Sequence, residues 1–187
     1  MAKPIAKPLR YSLLLIGLGL IAGFLLAYVN NITSGVLAER QRALIQEAMN
    51  EYFDYASYSV DRSDDYDNLD SDISEIYFAF GVDDQVAAVI YKTVSQGYGG
   101  DVVSLIAIKA DGTFDGVHMI EGSKETPGKG DKVLTHDFQV TGEPVDSFTF
   151  EILAGSSVTS NAVVNGIEAA AEHFQTVESS LGGITND

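Results

Sequence analysis

Four hydroxyl side chains fall within five consecutive residues, at Ser156, Ser157, Thr159 and Ser160, inside the small-residue run Ala154-Gly155-Ser156-Ser157-Val158-Thr159-Ser160. A hydroxyl can carry a phosphoryl group as an ester or can cap a helix, and both roles call for the same place in the chain, the start of a helix. Upstream, Phe148, Phe150 and Ile152 alternate with polar residues at the period of a half-buried strand. Downstream, Val163, Val164, Ile167, Ala170, Ala171 and Phe174 recur at helical spacing. The pattern predicts a strand over 147–152, a loop, and an amphipathic helix opening within 158–161. Unpaired N–H groups and the positive end of the helix dipole would then face an anion beside these hydroxyls. Thr159 or Ser160 as a plain N-cap is the competing reading. A hydrolytic Ser157 would need a base, and His173 stands about four helical turns further along, so no catalytic residue is assigned.

Two other loops carry unusual side chains. Gly97-Tyr98-Gly99-Gly100 permits close backbone approach, and its Tyr98 either stacks on a ligand ring or fills the core. The loop 122–132 contains Pro127-Gly128, the signature of a type II-like turn, with Lys124, Lys129 and Lys132 around it. Between Asp61 and Asp72 stand six Asp in twelve residues. That run lacks the Gly and the terminal Glu of a calcium loop, so it reads as a solvated acidic loop and no metal site is expected.

The elements that must position these loops follow from composition and period. The chain has 187 residues, no Cys, and 27 acidic against 11 basic residues, for a net charge of −16. Phosphate contacts need clustered Lys and Arg, which excludes nucleic acid as a partner. Without Cys there is neither a disulfide framework nor a lipoprotein anchor. Lys3, Lys7 and Arg10 are the only charges before Glu39, so 1–38 carries +3 and the remaining residues carry −19. Tyr11 to Val29 is free of charge over nineteen residues, enough for a helix to cross a bilayer. The basic residues before it keep the N-terminus cytoplasmic and export the C-terminal remainder of the chain; a cleaved signal peptide is the alternative. Ser34 to Tyr55 suggests a second helix. Strands are expected at 76–80 and 86–93, then at 102–109 and 114–121, each pair joined by a short polar turn. With 147–152 as a fifth strand, the fold class is α+β, an antiparallel sheet with flanking helices behind one N-terminal transmembrane helix. The expected organisation is a basic N-terminus (1–10), a transmembrane helix (11–29), a helical and acidic linker (30–74), and a globular domain (75–187).

In this order, GYGG at 97–100, the Asp111-Gly112 turn, KETPG at 124–128 with Gly130-Asp131-Lys132, and Ala154 to Ser160 before a helix resemble the FMN-binding domain family. The resemblance is greatest to the Rnf G subunits, with the C subunits of sodium-translocating NADH:quinone reductases as relatives. It implies FMN held covalently by a phosphoester to a hydroxyl of the last motif, installed by a separate flavin transferase that uses FAD and magnesium. The family's acceptor falls on Ser157, flanked by Gly155, Ser156, Thr159 and Ser160; Ser156 and Thr159 are the alternative acceptors. Glu151, Ala154 and Ser156 replace the family's usual Asp, Ser and Ala. Ser123 stands where His is frequent, and Lys129 where Leu is usual. The resemblance further implies that Glu125, Thr126 and Gly128 line the isoalloxazine, with Tyr98 and Lys129 near the ring.

The function so implied is that of a flavoprotein subunit relaying electrons within an Rnf-type ion-translocating redox complex, rather than a stand-alone enzyme. Its expected partners are other membrane subunits, the flavin transferase and the lipid bilayer, and its expected place is the bacterial inner membrane with the C-terminal domain extracytoplasmic. The alternative is a non-catalytic binding or assembly subunit without covalent flavin.

Overall fold

A computed structural model describes residues 7–120, 123–150 and 152–185. Lys3, Glu121, Gly122 and Glu151, named above, lie outside the described residues. The chain divides into two compact units, Met1–Glu47 and Ala48–Asp187.

Where the sequence suggests two helices, the structure has one, Lys7–Tyr52 (α1). The polar run between them does not interrupt it, because Thr33 Oγ1 donates to Val29 O (2.9 Å) and Ser34 Oγ to Asn31 O (3.2 Å), turning polar side chains back onto helix carbonyls. The most apolar 18-residue stretch of this helix has a mean hydropathy of 2.4 and none of it is buried, so α1 is long and apolar enough to cross a membrane.

The second unit is built on a five-stranded antiparallel meander in chain order: Ser57–Tyr58 (β1), Ile73–Phe80 (β2), Val86–Gln96 (β3), Asp101–Lys109 (β4) and Phe114–Met119 (β5). The helix Ser157–Val177 (α2) lies across β3 and β4. Its buried stripe, Val163, Val164, Ile167, Ala170, Ala171 and Phe174, meets Tyr91, Ile106, Ile108 and Phe114 in one core. Fully burying one such Ile or Phe stabilises the fold by about 1.5 to 3 kcal/mol. Gly166 lets the helix approach the sheet, since a Cβ there would stand 2.7 Å from Thr93 Oγ1. The opposite sheet face is buried as well, at Tyr77, Ala79, Ile90, Leu105 and Ala107. On that side Phe53 packs edge-on to His118 of β5, with ring centroids 5.4 Å apart.

The expected strand over 147–152 does not form. Among the described residues beyond β5 the sheet has only one isolated bridge, Thr113 to Pro144, so this segment finds no ladder partner there. Phe148 instead packs edge-on against Phe114, with centroids 5.0 Å apart. The fifth strand is β1, which is too short to show a period. The acidic run also has local work: Asp61 Oδ1 accepts from Ser63 N (2.9 Å) and Ile76 N (3.1 Å), and Asp70 Oδ1 accepts from Asp72 N (2.8 Å).

Candidate functional site

Three loops converge at one end of the sheet. The first, 97–100, is the turn of the β3–β4 hairpin, closed by Gly97 N donating to Gly100 O at 2.8 Å. The second leaves β5 and is pinned to the start of β4: Ser123 Oγ accepts from Val103 N (2.9 Å), and Lys124 N donates to Asp101 O (2.9 Å). It then makes the expected type II turn, with Gly128 at φ +77 and Lys129 N donating to Thr126 O at 3.1 Å. The third is the first turn of α2.

Glu125 joins all three. Its Oε1 accepts from Tyr98 N (3.0 Å) and Thr159 Oγ1 (2.7 Å), and its Oε2 from Gly99 N (2.9 Å) and Thr126 N (3.2 Å). Burial alone would push its carboxyl up, but the hydrogen bonds from Thr159, Gly99, Thr126 and Tyr98 outweigh it and hold the group below the usual glutamate range. The glycines around it leave it room. A Cβ on Gly97 or Gly130 would overlap the Glu125 carboxyl, and one on Gly99 would stand 2.6 Å from Thr126 N.

The four hydroxyls of the small-residue run separate sharply. Ser156 is the N-cap residue of α2, in place of Thr159 or Ser160, but its side chain makes no capping bond; it is buried and donates to Lys129 O. Thr159 is fully buried on Glu125, and Ser160, also fully buried, accepts from Leu153 N at 3.3 Å. Ser157, the first helical residue, is exposed, and its hydroxyl has no hydrogen-bond partner among the described residues. Because Ser160 N makes the first intrahelical bond, to Ser156 O at 2.9 Å, the N–H groups of Ser157, Val158 and Thr159 stay outside the helix ladder.

Ser157 opens onto a cleft of about 230 Å³ lined by Tyr98, Lys129, Gly130, Gly155, Ser156, Val158 and Thr159. Tyr98 is 55% exposed, which removes the core-filling reading. Lys129 Nζ lies 4.6 Å from the centroid of its ring and donates to its hydroxyl at 3.0 Å, and this bond holds the phenol below its ordinary pKa. Among the described residues no group of three His, Cys, Asp or Glu is arranged to hold a metal ion. His173 Nδ1 is 3.0 Å from Tyr91 Oη, in the core and away from this cleft. Of the residues expected at one site from the sequence, Tyr98, Lys129, Gly155, Ser156, Ser157 and Thr159 line the cleft, whereas Glu125, Thr126, Gly128 and Ser160 do not. Residue types gave no sign that Glu125 is the hub; the only trace is three glycines, 97, 99 and 130, each lacking a Cβ where Glu125 or Thr126 needs the space.

The profile described as "FMN-binding domain" matches residues 97–172, a span that includes all three loops. The G subunit of the ion-translocating oxidoreductase complex of Pseudoalteromonas atlantica is 30% identical over 128 residues, 60% of this chain and 59% of that protein, less than two thirds of its length. The Pseudomonas aeruginosa protein of the same name is 30% identical over 189 residues, 89% of this chain and 88% of that protein. The chain belongs to the family of ion-translocating oxidoreductase G subunits. The crystal structure of Shewanella oneidensis NqrC superposes with a TM-score of 0.47 at 19% identity, covering 59% of this chain and 62% of that one. The chain has an apolar N-terminal helix long enough to cross a membrane and, further along, a segment matching the FMN-binding profile.

Proposed function

We propose that this chain is a membrane-anchored flavoprotein subunit that relays electrons through an FMN joined to Ser157 by a phosphoester, within an Rnf-type ion-translocating redox complex. The observation that carries this reading is the isolation of Ser157: it is exposed at the mouth of the cleft with an unpaired hydroxyl, while Ser156, Thr159 and Ser160 are engaged. Attachment would form the Ser157 Oγ–P bond and break the phosphoanhydride of FAD. AMP leaves, and the hydroxyl proton passes to the flavin transferase.

The residues suit the group. Backbone N–H groups at Ser157 to Thr159, outside the helix ladder at the positive end of α2, would stabilise an ester phosphate by about 0.3 to 1 kcal/mol at an exposed site. The cleft is smaller than the roughly 300 to 1,000 Å³ that encloses a whole small molecule, so it takes the phosphate end and leaves the ring at the open surface. Tyr98, Thr126 and Gly128 would border that ring, and Lys129 would offer it a positive charge. FMN supplies one-electron exchange when bound, and an exposed ring is accessible to a redox partner.

The positive charges at Lys3, Lys7 and Arg10 and the apolar run of α1 support an N-terminus on the cytoplasmic side of a bacterial inner membrane and an extracytoplasmic domain. Within the flavin-bearing region, 75–187, the proposed partners are the other subunits of the membrane complex and the flavin transferase. Coexpression of the full chain with a flavin transferase tests the reading: acid-stable yellow fluorescence that stays with the protein supports it. A colourless product would favour a non-catalytic assembly subunit.

A further inference from the structure

We propose that Glu125 is the positioning residue of this site, an ionised carboxylate that presents Ser157 and Tyr98 together by bonding the loops that carry them, without itself touching the cofactor. The proposal rests on the reading of Ser157 as flavin acceptor. A carboxylate offers about four lone-pair positions, two on each oxygen. Here each Glu125 oxygen accepts two donors from the protein: Tyr98 N and Thr159 Oγ1 on one, Gly99 N and Thr126 N on the other. No acceptor capacity remains for a donor on the flavin ring. Glu125 is also not among the residues lining the cleft that takes the phosphate end.

The consequence for Ser157 follows from the chain. Ser156 is tied to the 126–130 turn through Lys129 O, and Thr159 is tied to the same loop through Glu125. Ser157 lies between these two anchors and is exposed, while Ser156 and Thr159 are held inward. Tyr98 is held from the other side by its own N–H on the same carboxylate. An amide in place of the carboxylate has one acceptor oxygen and a donating NH₂ group, so it cannot satisfy the two N–H groups now on Oε2. Among the described residues, the other ionisable groups on and beside the three loops are Tyr98, Asp101, Lys124, Lys129, Asp131 and Lys132. Lys129 bonds Tyr98 and Asp131 Oδ1 accepts from Gly128 N at 2.9 Å, whereas Glu125 bonds all three loops, so protonation of Glu125 opens the clamp.

The test uses the full chain in detergent micelles and has two readouts. Amide NMR of the flavin-free protein, titrated toward acid, should show Tyr98, Gly99 and Thr126 moving together with one midpoint below the ordinary glutamate range, and none of them titrating in Glu125→Gln. Flavin attachment followed by mass spectrometry at limiting transferase should be slower in Glu125→Gln by roughly tenfold or more, as expected when a reacting group loses its alignment. Amides that titrate independently, or a Glu125→Gln chain flavinylated at the native rate, would overturn the proposal. The amide titration needs no flavin, so a native chain that takes up no FMN overturns the proposed function, and the clamp is upheld or overturned by the amides alone.

Discussion

Thr159 Oγ1 donates to Glu125 Oε1 across 2.7 Å, and the same threonine oxygen lies 3.4 Å from Tyr98 N, so one buried hydroxyl links the start of α2 to both neighbouring loops. Thr159 is fully buried, and its loss cannot be compensated by solvent. Thr159→Val keeps the shape but leaves Glu125 with one donor fewer. We expect it to lower unfolding free energy by about 1 to 3 kcal/mol, read as a shift in the urea midpoint at unchanged slope. Thr159→Ser keeps the hydroxyl and should recover most of that loss. Equal midpoints for the valine and serine variants would contradict the bond's importance.

Two glycines of the second loop should respond differently to alanine. Gly130 has φ −87, an ordinary value, but an added Cβ would overlap the Glu125 carboxyl. Gly128 has φ +77, and an added Cβ would meet nothing within 4 Å. Gly128→Ala should therefore cost only the left-handed backbone penalty, about 1 to 2 kcal/mol, and leave the amide resonances of Tyr98 and Gly99 in place. Gly130→Ala should move both resonances, because it displaces the carboxylate they bond.

Stability should fall on acidification in two windows. Burial depresses His118 and His173 below the ordinary histidine value. Their contribution is fully present above about pH 6.5, the unfolded value, and is lost as pH falls through their folded values, because the unfolded chain binds the protons first. Glu125 is also depressed in the folded state, so its contribution is present above about pH 4.3 and is lost as pH falls through its lower folded value. Thermal melts from pH 8 to pH 3 should show a first decline below about pH 6.5 that is reduced in His173→Gln. A melting temperature that rises between pH 7 and pH 5 would contradict the assignment.

Lys129 sits over Tyr98 at the rim of the cleft. A cation beside the ring favours its anionic reduced form, so Lys129→Ala should lower the flavin midpoint potential, measured by spectroelectrochemical titration of the flavinylated chain. An unchanged potential would exclude Lys129 from tuning the cofactor.

The parts of the fold legible in the sequence are those whose side-chain period coincides with a packing partner. The stripe Val163 to Phe174 announces α2 because one face of that helix is buried and the other is not. The hairpins are announced by turn chemistry, as at Gly112, whose φ is +81. Period alone misleads over 147–152, where Phe148 and Phe150 pack against the core in a segment that lacks a neighbouring strand. At the site, residue types name the loops but not the bonds between them. Glu125 is one acid among 27, and only folding places Tyr98, Gly99, Thr126 and Thr159 around it.

Peptide mapping by mass spectrometry, after coexpression of the full chain with a flavin transferase, asks which hydroxyl carries the flavin. We expect an FMN phosphoester on the peptide containing Ser157, abolished in Ser157→Ala and retained in Ser156→Ala. Flavin on Ser156 or Thr159, flavin surviving in Ser157→Ala, or no flavin on any peptide would refute Ser157 as the acceptor.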